Sequence, residues 1–209
     1  MNFLAHIYLS GENEDILLGN FIADMVKGRQ IDNFHQGIVD GIFLHRKIDT
    51  FTDTHPIVDQ SKMRLRNKYR LYSGVVVDMF YDHYLAKNWD EFSRHSLTRF
   101  VKEAYNILLK NYFLLPVRGK NMLPYMVSSN WLVNYADLNR LQQHFEGMAM
   151  RTPFKSGMEN AVEDLVLHYD AFENEFRTFW PDLVAYVEKQ GISHLHHKNG
   201  GINIRSGGF

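Results

Sequence analysis

The chain has 209 residues, 45% hydrophobic and 22% charged, with 23 Lys and Arg against 24 Asp and Glu. That balance excludes a disordered or fibrous protein and fits one globular domain over residues 1–190. Cysteine is absent, which excludes disulfides, thiolate zinc sites and a cysteine nucleophile and suits a reducing compartment.

The start, Met1 to His6, lacks a basic leader, and the apolar segment is broken by His6 and then by Ser10 and Gly11. No apolar run approaches the ~18 residues that cross a bilayer. The expectation is a cytoplasmic protein with no membrane association. Gly and Pro are sparse, and apolar residues recur at helical spacing, as in Ile38, Ile42, Leu44, Ile48 and Phe51. The pattern predicts an all-α, single-domain helical bundle. Its helices run over Asp15–Val26, Phe34–Phe51, Pro56–Lys68, Ser73–Lys87, Asp90–Tyr112, Leu123–Ser129, Leu132–Met150 and Lys155–Lys189. Pro56 suits a first helical turn and Asp90 an N-cap. Val75-Val76-Val77 has the look of a strand, but Gly74 before it and the spacing of Val77, Phe80, Tyr81, Tyr84 and Leu85 after it favour helix. Residues 191–209, rich in Gly and holding His194, His196 and His197, read as a flexible polar tail.

The first half carries ionisable residues on otherwise apolar segments: His6, Asp24, His45, Asp49, Asp78, Asp82 and His83. Burying such groups is unfavourable without partners. His45 and Asp49 are four apart, as are Asp78 and Asp82, so each pair shares a helix face and two facing helices can offer four ligands. Asp24, inside an apolar stretch, calls for a cation, a metal or several hydrogen-bond donors. Imidazole and carboxylate without thiolate favour Mn, Fe, Mg or Zn in an open site, where a metal acidifies water and neutralises a phosphoryl oxygen. The competing reading of each pair is a structural hydrogen bond on a helix surface. Asp53 and His55, before Pro56, read as turn and cap residues, while His35, His95, His144 and His168 read as surface or satisfied core residues.

Lys62, Arg64, Arg66, Lys68 and Arg70 follow one another with no acid between them. Such a segment is either a solvated face or a docking site for nucleic acid, a phosphorylated small molecule or an acidic protein.

Four stretches resemble the acyl carrier protein phosphodiesterases. They are Asn2 to His6, Gly19 to Asp24, Leu44 to Pro56 (which reads Leu-His-Arg-Lys-Ile-Asp-Thr-Phe-Thr-Asp-Thr-His-Pro) and Asp78 to Ala86. Weaker likeness continues through Asn130 to Tyr135 and Phe179 to Leu183. The resemblance implies a distorted HD-domain-like helical fold, a divalent metal, most often manganese, and hydrolysis of the bond joining 4'-phosphopantetheine to a holo acyl carrier protein. It implies Asp24, His45 and Asp78 as catalytic residues, with His6, Asp49, Asp82 and His83 completing the metal centre. An acidic carrier protein, rather than nucleic acid, becomes the partner expected at Lys62 to Arg70. The chain departs from the ordinary HD signature in having no His followed by Asp; Asp82 instead precedes His83. Two other readings are an HD-type phosphohydrolase of nucleotides or small diesters, and a helical carrier-binding module without activity.

Overall fold

The computed structural model describes residues 1–191, so the expected tail falls, beyond Gly191, outside the described residues. Among those described there is no strand, and twelve α-helices are linked by short 3-10 turns. They are α1 (Phe3–Leu9), α2 (Glu14–Ile22), α3 (Gln36–Thr54), α4 (Pro56–Tyr69), α5 (Ser73–Lys87), α6 (Trp89–Phe92), α7 (Leu97–Lys110), α8 (Val117–Ser128), α9 (Trp131–Asn134), α10 (Leu138–Arg151), α11 (Ala161–Leu167) and α12 (Tyr169–Lys189). None of these helices is long and apolar enough to cross a membrane.

Helix α5 is the axis of the bundle. It is buried nearly all round, as a helix apolar on every side must be, and it packs against α1, α4 and α12. Phe80 meets Phe145 and Phe172 edge to face, and Tyr81 lies against Phe176 and Phe179. Val75 to Val77 are helical, as their context suggested.

Helices α2 and α3 approach backbone to backbone. A Cβ at Gly19 would collide with Ile38 O and lie 2.9 Å from Gly41 Cα; one at Gly41 would collide with Ile16 O. Only glycine permits so close a crossing. It carries Asn20 on α2 up to His45 on α3, a contact on which the site depends.

Several boundaries differ from the sequence expectation, each for a local reason. Helix α1 is too short for periodicity to reveal, and Asn2 caps it by accepting from the Phe3 N–H at 2.8 Å. The expected helix over 90–112 breaks between α6 and α7, where Ser96 caps α7 and Trp89 Nε1 donates to His95 O at 2.7 Å. Asp90 therefore lies within the first turn of α6 and is not the N-cap. Helix α8 begins at Val117 and passes through Pro124. Proline lacks the N–H that would bond the carbonyl four residues back, and that carbonyl, Lys120 O, instead accepts from Tyr112 Oη at 3.3 Å. Asp137 caps α10, separating it from α9, and the expected helix over 155–189 is interrupted at Gly157 and at His168. His55 does cap α4, accepting from Ile57 N at 3.3 Å with Pro56 in the first turn.

Candidate metal centre and its cavity

Three side chains from two helices converge at the head of the bundle. His6 comes from α1, and His45 and Asp49 lie one turn apart on α3; one ligand atom from each falls within 4.8 Å of the others. The imidazoles of His6 and His45 stack with centroids 3.9 Å apart and planes 17° from parallel. Asp49 bridges them, with Oδ1 3.1 Å from His6 Nε2 and Oδ2 3.1 Å from His45 Nε2. Asp24, on the 3-10 turn Ala23–Met25, adds a carboxylate oxygen 3.3 Å from His45 Nε2.

Asn20 orients this group, and the sequence reading did not single it out. Its Nδ2 donates to His6 O at 2.8 Å and to Ser10 Oγ at 3.0 Å, which leaves Oδ1 to face His45 Nδ1 at 3.1 Å. An acceptor on Nδ1 fixes a proton there, so Nε2, which faces the carboxylates, is the nitrogen that would give up its proton to ligate a cation, the usual way an outer partner sets a ligating histidine.

Burial holds His6 down at about 4, with His45 adding to the effect. Burial also works against charge on His45, but the adjoining Asp24 and Asp49 carboxylates reverse that and raise it to about 9. Burial opposes ionisation of Asp49 as well, yet His45 and His6 hold it well below the ordinary carboxylate range. Asp24 is lowered by its contact with His45.

A divalent cation fits this donor set. His6 Nδ1 is a buried nitrogen without a hydrogen-bond partner, an orphaned polar atom of a kind that is rare without a functional reason, and His45 Nε2 meets two carboxylate oxygens at 3.1 and 3.3 Å. Ligands ~2.1 Å from one ion sit at most ~4.2 Å apart, so the cluster needs only a small contraction. Two imidazoles and a carboxylate favour Mn, Fe or Zn over Mg, which prefers an all-oxygen shell.

Of the other expected ligands, Asp78 is brought to the group's edge, 3.1 Å from the Met1 amino nitrogen, which is itself 3.6 Å from Asp49 Oδ1. Burial pushes the Asp78 carboxyl up, opposed by that amine. The structure does not bring Asp82 or His83 to the cluster. Asp82 accepts from Leu4 N at 2.8 Å and Ala5 N at 3.2 Å, anchoring the N-terminus of α1, where free N–H groups and the helix dipole favour a carboxylate. It thus sets His6 through the α1 backbone. His83, about 100° further round α5, places Nδ1 2.8 Å from Tyr135 O and Nε2 2.8 Å from Tyr169 Oη.

The expected partner-binding run is largely engaged within the fold. Lys62 pairs with Asp53 at 2.7 Å, Lys68 with Asp164 at 2.7 Å, and Arg64 grips the buried Glu175 through two bonds of 2.7 Å. Glu175 also accepts from Ser61 Oγ at 2.5 Å. These pairs tie α4 to α3, α11 and α12. Arg66 is exposed, and Arg70 ends α4 with φ +51°; neither makes an ion pair among the described residues.

The cluster opens into a cavity of about 1090 Å³. Its lining includes the ionisable His6, Asp24, His45 and Asp78, the apolar and aromatic Phe3, Met79, Met122, Trp131, Tyr135 and Met148, and the polar Arg118, Asn121 and Arg151. The space suits a ligand that combines an anionic group with a less polar remainder.

The family model for acyl carrier protein phosphodiesterase matches residues 1–183. Curated relatives bearing that name include proteins from Photorhabdus laumondii, 34% identical over 91% of this chain and 96% of its own, and from Yersinia enterocolitica, 33% identical over 92% and 100%. One from Enterobacter sp. (strain 638) is 34% identical over 92% and 100%. No solved structure matches this chain. With the matched residues spanning α1 to α12 and every side chain of the cluster, the chain belongs to the acyl carrier protein phosphodiesterase family.

Proposed function

We propose that the protein hydrolyses the phosphodiester joining 4'-phosphopantetheine to a serine of holo acyl carrier protein, with a divalent metal, manganese first among candidates, held by His6, His45 and Asp49. The observation that carries this reading is the meeting of that donor set with a large, mainly apolar cavity, in a chain of this family. A divalent cation there supplies Lewis acidity, drawing charge from a phosphoryl oxygen and acidifying water.

The chain's own groups do the rest. Asn20 keeps His45 in the ligating tautomer. Asp24 lines the cavity, has a side chain 74% exposed and is held ionised by His45, so it can accept a proton from the attacking water. The apolar lining shelters the arm and limits competing water. Water adds to phosphorus, the bond to serine Oγ breaks and that oxygen is protonated, giving apo carrier protein and free 4'-phosphopantetheine.

The test is intact-mass analysis of holo acyl carrier protein after incubation with the purified chain and manganese. Loss of the arm in the metal-replete wild type, and in neither a chelator control nor Asp24→Ala, is the expected result. An unchanged mass from folded, metal-bound protein removes this reading.

A further inference from the structure

The location of the docking surface follows from the chemistry of the bond, and so rests on the reaction proposed above. The reacting phosphorus is attached to a serine oxygen, so only one short side chain separates it from the partner's backbone. The partner protein must therefore sit on the cavity rim and touch residues that both line the cavity and reach solvent.

Two of those rim residues are arginines. Arg118 lies in the first turn of α8 and Arg151 ends α10; both are exposed, both line the cavity, and neither makes an ion pair among the described residues. Gly119 draws that end of α8 close to the turn bearing Asp24, since a Cβ there would lie 3.2 Å from Met25 Sδ. Apolar groups flank the guanidiniums. Val117 and Tyr125 line the same cavity and are 74% and 65% exposed, and Met122 and Met148 line it as well. Arginine, tyrosine and methionine around a concave mouth are the composition of a protein interface. Lys62, Arg64 and Lys68, by contrast, already hold acids of their own chain.

Charge strengthens the argument. Asp24, Asp49 and Asp78 surround the centre and would repel an anionic partner in the absence of cations on the same rim. Two guanidiniums lining the same cavity, with no ion pair among the described residues, favour a face that presents carboxylates among small apolar side chains. We propose that the start of α8 and the end of α10, through Arg118 and Arg151, form the surface on which an acidic face of the carrier protein docks.

The experiment is fluorescence anisotropy with labelled apo acyl carrier protein, at low and moderate salt, on wild type, an Arg118→Glu/Arg151→Glu double variant and an Arg66→Glu/Arg70→Glu double variant. The rim reversal is expected to weaken binding about tenfold or more and to flatten its salt dependence, while the α4 reversal changes it less than about twofold. Undiminished binding by the rim variant, loss confined to the α4 variant, or no binding by wild type overturns the proposal. Circular dichroism and thermal unfolding establish that the variants are folded; Arg118→Gln/Arg151→Gln replaces any that is not. Mass analysis of holo carrier in parallel separates the two ideas. Rim-dependent binding with the arm left in place removes the reaction alone, and arm loss with rim-independent binding removes the docking surface alone.

Discussion

Helices α3 and α5 present the same sequence signal and use it differently. Each carries two ionisable residues four apart on one face. On α3, His45 and Asp49 both point into the cluster. On α5, Asp78 reaches its edge while Asp82 turns to the N-terminus of α1. Spacing settles that two side chains share a direction; what lies opposite settles their role. Opposite α3 stand His6 and Asp24, whose ionisable groups meet those of His45 and Asp49, and the amide of Asn20, which orients His45. Opposite Asp82 stand two backbone N–H groups that have no other partner in their helix.

The contrast is most strongly tested by removing one member of each pair. Asp49→Ala is expected to lower arm hydrolysis by more than about 100-fold, beyond the 10- to 100-fold typical of losing an outer-shell partner, with metal binding lost in parallel by calorimetry. Asp82→Ala is expected instead to cost about 1–3 kcal/mol of unfolding free energy, as two buried N–H groups lose their acceptor, while the folded protein keeps its metal affinity. Should Asp82→Ala abolish metal binding in protein that is still folded, α5 supplies two ligands and the contrast fails.

A smaller effect is expected at Asn20. In Asn20→Ala, His45 loses the acceptor that holds its proton on Nδ1, and metal affinity should fall about 10- to 100-fold by calorimetry. An unchanged dissociation constant would show that the crossing of α2 and α3 orients His45 unaided.

The two helices should also differ in pH response. Burial raises Asp82 to about 7, opposed by the Leu4 and Ala5 N–H groups, whereas an unfolded Asp titrates near ~3.9. Between those values the folded chain holds a proton that the unfolded chain releases. This carboxyl's contribution to stability is therefore present below pH ~4 and is lost as pH rises towards 7. Urea midpoints of wild type minus those of Asp82→Asn should fall across that window; a flat difference would mean that Asp82 is ionised throughout.

The all-helical architecture was legible because the apolar spacing persists over long stretches with little Gly or Pro. His45 and Asp49 were legible for the same reason, and Asp24 because a charge interrupts an apolar run. That last signal also marks Asn20, a fully buried polar residue four positions earlier, which a search for ligands alone passes over. The pairing of the basic run was not legible, because Asp53, Asp164 and Glu175 come from three other helices and two of them lie about 100 residues away, where a local charge count cannot see them. Arg118 and Arg151 had no local mark at all; only the tertiary fold sets them around one opening.

The glycine contact between α2 and α3 carries a consequence for any random mutagenesis of this chain. Gly19 and Gly41 touch no ligand and no cavity wall, yet the distance between their helices is the distance between Asn20 and His45. A screen for inactive clones would therefore score both glycines alongside the ligands themselves. Telling the two classes apart would require asking whether each clone still binds metal after refolding at low temperature, because inactivity by itself gives the same phenotype for a missing ligand and for a helix pair held a methyl group too far apart.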